Sequence, residues 1–102
     1  MKKIRVVSLL LLISMLTCGG TTADEVQTSK IEYCGSCHGA VGISIYDLWP
    51  NIAGQKKPYL ANQLQRFRNG ERFDPWMSPI AGILSDGEIE ELADFYSKLV
   101  VK

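Results

Sequence analysis

The chain has 102 residues, with 11 Lys plus Arg against 11 Asp plus Glu. That length excludes more than one sizeable domain, and a domain this small buries only about 60% of its unfolded surface, so chains of this kind often recruit a metal, disulfides or a cofactor into the core. Residues 24–102 hold 8 basic and 11 acidic side chains, a net charge of −3, which excludes a generally basic nucleic-acid binder.

Met1–Arg5 is basic and Val6–Leu16 is almost unbroken apolar sequence, about 11 residues where a membrane span needs roughly 20. This reads as a secretory leader. Small residues at Thr21 and Ala23 predict cleavage before Asp24, giving a signal peptide over 1–23 and one domain over 24–102. The alternative is a lipoprotein leader cleaved before Cys18, with Gly19–Thr22 as tether; Met15 and Thr17 match that pattern less well. Both readings place the domain in the periplasm, where thiols can oxidise.

The rest of the chain lacks convincing period-2 alternation and reads as all-α, about four helices. A first helix is predicted over Glu25–His38, with Ile31, Cys34 and His38 along one face. Gly39–Gly54 reads as loop. A second helix is predicted from Pro58 to Asn69, with Pro58 in its first turn, Gly70 past its end, and Leu60, Leu64 and Phe67 on one face. Ser78-Pro79 predicts the cap and first turn of a brief helix to Leu84. The last helix has the clearest start, a capping box of Ser85 and Glu88, followed by an apolar face of Ile89, Leu92, Ala93, Tyr96 and Leu99. Basic residues Lys56, Lys57, Arg66, Arg68 and Arg72 cluster mid-chain and Asp86, Glu88, Glu90, Glu91 and Asp94 near the end; they form either a dipole that steers docking or a set of solubility features.

The chemical signal is Cys34-Gly35-Ser36-Cys37-His38. In an exported chain, C-x-x-C-H reads as an attachment site for haem c. Thiols at i and i+3 on a helix are neighbours about 5–6 Å apart, so both can reach one edge of a flat ring and form thioethers, while the next residue supplies an imidazole to iron. A structural disulfide, a thioredoxin-like redox pair and half of a zinc site compete. The redox pair wants a βαβ setting and structural zinc wants four ligands, where Cys34, Cys37 and His38 are the clear ones. Met77, the only methionine of residues 24–102, lies between Pro75 and Pro79, 39 residues after His38. It is the candidate second axial ligand, since a thioether suits iron and His/Met ligation raises the reduction potential; the plainer alternative is a core filler. His38 and Met77 should then face one flat apolar slot, lined by Leu60, Leu64, Ile80 and Leu84, with Trp49, Tyr59 and Phe67 as further candidates.

With these motifs the chain resembles the small monohaem class I cytochromes c of bacteria, and a single half of their two-haem periplasmic members. The resemblance runs through Cys34–Gly39 with Gly42, Trp49–Gln55, Tyr59–Leu64 with Phe67, Gly70, Glu71 and Arg72, Asp74–Met77, and Leu84–Asp86 leading to Leu92–Tyr96. Bulky residues at Ile43–Leu48 replace the small and polar loop usual in that family. The resemblance implies one covalent haem c packed against the first and last helices, with the Met loop closing the other face. It implies that Pro50 offers its carbonyl to the second nitrogen of His38, which would fix the ring. It also implies a monomeric electron carrier, not an enzyme, serving redox partners such as a terminal oxidase, reductase or dehydrogenase, with membrane contact only through a lipid at Cys18. A haem subunit of a larger redox enzyme, or a haem-based sensor module, is the alternative.

Overall fold

The computed structural model describes residues 19–20 and 22–101. Cys18 and most of the expected leader lie outside them. Four helices follow in order: α1 (Ala23–His38), α2 (Lys57–Asn69), α3 (Met77–Gly82) and α4 (Asp86–Ser97). Strands are absent among the described residues. None of the helices there is long and apolar enough to cross a membrane.

Each boundary has a local cause. Thr22 accepts the Glu25 amide and Glu25 reaches back to the Thr22 amide, so a capping box starts α1 two residues before the predicted Glu25. Pro58 sits in the first turn of α2, and Gly70 ends it in the left-handed conformation at φ 79°. The Ser85/Glu88 capping box opens α4 as predicted. The start of α3 differs from expectation. Ser78 and Pro79 lie inside it, and the stop-and-start chemistry belongs to Asp74, whose side chain accepts the amides of Trp76 and Met77 at 2.8 Å each.

Apolar spacing puts Ile89, Leu92, Ala93 and Tyr96 on one buried stripe of α4. This stripe meets Ala61 of α2 and Leu84, with Ile31 and Cys34 of α1 and Leu60 and Leu64 of α2 packed around it. Thus α2 packs on α3 and α4, and α1 on α4. The Tyr96 hydroxyl donates to the Ile31 carbonyl at 3.2 Å, and Lys30 pairs with Glu88, so both ends of the domain are tied together. Ile89 and Leu92 are the largest completely buried side chains among the described residues. The protein-only core is therefore thin, and the space beside it becomes important.

The two charge clusters do not stand apart as a free dipole. Lys57 of α2 lies 3.6 Å from Glu90 and 3.5 Å from Asp94 of α4, and Arg68 contacts Asp86 at 2.6 Å. The α2–α4 packing that buries Ala61 brings these opposite charges together, so the fields of Lys57 and Arg68 are partly cancelled locally.

Candidate haem site

The last turn of α1 presents Cys34, Cys37 and His38. Gly39 ends the helix at φ 86°, ψ 148°, its amide bonded to the Gly35 carbonyl at 2.9 Å. Only glycine occupies that backbone region cheaply, and a Cβ there would stand 1.9 Å from the Ile43 carbonyl oxygen. The sharp reversal sends the chain back under the helix. The Gly42 carbonyl then accepts the amides of Ile52 and Ala53, at 2.9 and 3.0 Å, and the Asn51 side chain accepts the Ser44 amide at 2.7 Å. These bonds bring Pro50 beneath His38. The His38 Nδ1 lies 2.8 Å from the Pro50 carbonyl oxygen. A carbonyl can only accept, so Nδ1 carries the proton and Nε2 keeps its lone pair for a ligand role. The bulky Ile43–Leu48 segment is accommodated by turning outward: Ile45 and Leu48 are largely exposed, and Tyr46 packs edge-on against Trp49.

Two cavities, about 260 Å³ and about 170 Å³, lie beside this segment. They share three lining residues: Cys34, His38 and Met77. The larger runs along Tyr59, Leu60, Leu64 and Phe67 of α2 and Leu92, Ala93 and Tyr96 of α4, with Pro50 at its edge. The smaller holds Cys37, Trp49, Trp76 and Ile80. Of the expected lining residues, Leu84 is the exception. It follows α3 with its amide bonded to Ala81 and is buried in the core instead. Ile52, Leu92, Ala93 and Tyr96 line the space although sequence reasoning assigned them to the loop or to the core face. The periodicity of α4 marks which face is buried, not whether protein or cofactor covers it.

The thiols of Cys34 and Cys37 are not joined in a disulfide, and the Cys37 sulfur accepts the Ser36 hydroxyl at 3.9 Å. Burial pushes the Cys34 thiol above its ordinary value. The Tyr96 hydroxyl is likewise pushed up, by burial first and by Cys34 second. Among the described residues no three His, Cys, Asp or Glu side chains are grouped to hold a metal ion.

No family model matches the chain. Individual relatives do. Cytochrome c-554(548) of Halomonas halodenitrificans is 37% identical over 82 residues, covering 78% of this chain and 95% of that protein. This chain belongs to the class I c-type cytochromes. Cytochrome c4 of Thiocapsa roseopersicina is 35% identical over 79 residues, 78% of this cytochrome but 40% of the relative. The solved structure of reduced recombinant cytochrome c4 from Pseudomonas stutzeri superposes with a TM-score of 0.62 at 28% identity, over 78% of this cytochrome and 52% of that chain. The cytochrome therefore spans about half, or less, of the cytochrome c4 chains it matches. Two further relatives, from Stutzerimonas stutzeri and Thiomonas intermedia, are named thiosulfate dehydrogenase electron acceptors.

The cofactor of this family is haem c, and the site suits it. Free thiols at i and i+3 edge the cavities, a buried imidazole has one nitrogen committed to a carbonyl, and a thioether lines the same space. The apolar void is a costly gap for a haem-free core of this size.

Proposed function

We propose that this cytochrome carries single electrons between redox proteins of the periplasm, through one haem bound by Cys34 and Cys37 and ligated by His38 and Met77. The observation that carries this reading is the convergence of Cys34, His38 and Met77 on both cavities. Bound haem supplies a one-electron iron couple. The two thiols fix the ring edge to α1. The Pro50 carbonyl orients His38 and favours the tautomer that leaves Nε2 free. Met77, which lines both cavities, would supply the second protein ligand to the iron and so leave oxygen and substrate no place to bind. Aliphatic and aromatic side chains from α2 and α4 exclude water, which keeps reorganisation around the couple small.

The carrier reading is favoured over an enzyme because His38 is the only histidine in the chain, leaving no second imidazole for acid–base work. The names of the thiosulfate dehydrogenase electron acceptors support a dehydrogenase as one donor; a reductase or terminal oxidase is the corresponding acceptor class. Export with cleavage before Asp24 gives a monomeric periplasmic carrier, and lipidation at Cys18 gives an anchored one. Absorption spectra of the holoprotein in both oxidation states test the proposal. Low-spin spectra unaffected by carbon monoxide are expected. A high-spin or carbon monoxide-binding wild type would favour the haem subunit of an enzyme, or a sensor.

A further inference from the structure

The proposed carrier depends on a neutral thioether staying on its metal. A methionine side chain has three rotatable bonds and brings no charge, so its backbone must be held in advance. The geometry points to Asp74 as the residue that positions Met77. This inference rests on Met77 being the axial ligand.

One oxygen of the Asp74 carboxylate accepts the amides of Trp76 and of Met77 itself, each at 2.8 Å. The Asp74 carbonyl accepts the Ser78 amide at 3.0 Å, and the Asp74 amide donates to the Ser78 hydroxyl at 2.9 Å. Asp74 is thus bonded to three consecutive residues centred on Met77. Pro75 lies between them, with φ fixed by its ring and no amide of its own to satisfy. The bond from Ser78 to the Asp74 carbonyl already has helical spacing, so the turn carrying Met77 is wound before α3 begins.

The same turn is moored to the cavity wall. The Arg72 amide donates to the Arg66 carbonyl at 3.1 Å, and its guanidinium donates to the Gln63 side chain at 2.7 Å and lies 4.5 Å from the centre of the Phe67 ring. Gln63, Phe67 and Arg72 line the larger cavity together with Met77. A path of bonds therefore runs from α2 to Arg72, whose carbonyl accepts the Ser78 hydroxyl at 3.5 Å, and on through Ser78 and Asp74 to the backbone amide of Met77. Asp74 makes no contact with the cavity, so it acts only through the backbone of Met77.

The test compares wild-type holoprotein with D74A, D74N and M77A. Asparagine keeps the accepting oxygen and loses the charge; alanine loses both. Removing such an acceptor loosens a turn about tenfold. D74A should therefore bleach much of the methionine–iron charge-transfer band and raise carbon monoxide affinity of the reduced protein roughly tenfold, whereas D74N stays near wild type. Loss in both variants, or in neither, overturns the positioning role. Should D74A fail to fold, amide hydrogen exchange in the wild type decides: slow exchange at Trp76 and Met77 is expected, and exchange at the rate of exposed loop amides overturns the role. M77A separates this inference from its premise. A band lost in M77A but unchanged in D74A removes the role of Asp74 and keeps Met77 as ligand. A wild type with no such band removes both.

Discussion

The His38 imidazole and the Pro50 carbonyl, twelve residues apart in sequence, are joined by a hydrogen bond of 2.8 Å. The bond closes a loop whose return path depends on Gly39 and Gly42, both at positive φ. It also means that the orientation of the only imidazole is set by backbone, which substitution of side chains does not easily disturb.

Attachment is predicted to be covalent and double. The denatured protein should exceed its peptide mass by one haem, and C34S or C37S should each leave a single thioether. Intact-mass measurement after acid acetone extraction checks this. Release of the haem from the wild type would remove the basis for the proposed site.

M77A should lower the reduction potential and open the iron to carbon monoxide, because a His/Met pair holds the potential high. Spectroelectrochemistry on the purified variant reads both effects. An unchanged potential would mean that another group supplies the second axial bond.

G39A should destabilise the fold by at least about 2 kcal/mol, combining a backbone region nearly closed to alanine with overlap against the Ile43 carbonyl. Since the turn sets the Pro50 approach, the spectrum of whatever fraction folds should also change. Thermal melting with a parallel absorption scan measures the two together.

Stability should fall in acid. The Lys30 ammonium, and then the Ser85 amide, hold the Glu88 carboxyl below its ordinary value of 4.5. A carboxyl depressed in the folded state contributes stability above its unfolded pKa and loses it as pH drops through the folded value. E88Q should therefore show a shallower fall in melting temperature between roughly pH 6 and pH 3 than wild type. Some slope should remain, because Asp74 and Asp94 are depressed too, by the Met77 amide and by Lys98 respectively.

K57A should cost at most about 1 kcal/mol, as expected for pairs this exposed, and less in high salt. A larger loss in a denaturant titration would show that the α2–α4 charge contacts count for more than surface pairs usually do.

The helices were legible where residues declare their own ends: Ser85 with Glu88, Pro58, Gly70, and the Cys34–His38 segment before Gly39. α3 departs from the local signals, starting at Met77, one residue before Ser78. Ser78-Pro79 is the expected cap and first turn, but Asp74, four residues earlier than Ser78, accepts the Trp76 and Met77 amides. The charge clusters left two readings open for a related reason. Separation along the chain says nothing of separation in space once α2 lies on α4. Leu84 is expected in the slot and Tyr96 on the apolar face of α4; only packing decides that the first turns to the core and the second borders both core and cavity.

The bond between Tyr96 and Ile31 spans 65 residues, and this bears on the order of events in the cell. Before α4 docks, the Cys34 thiol has no α4 side chains packed around it. Once α4 docks, burial raises the Cys34 thiol and makes it a poorer nucleophile. A thioether at Cys34 would thus form more easily before α4 docks than after it. A polypeptide that folds ahead of its cofactor would be shutting out the group its core lacks.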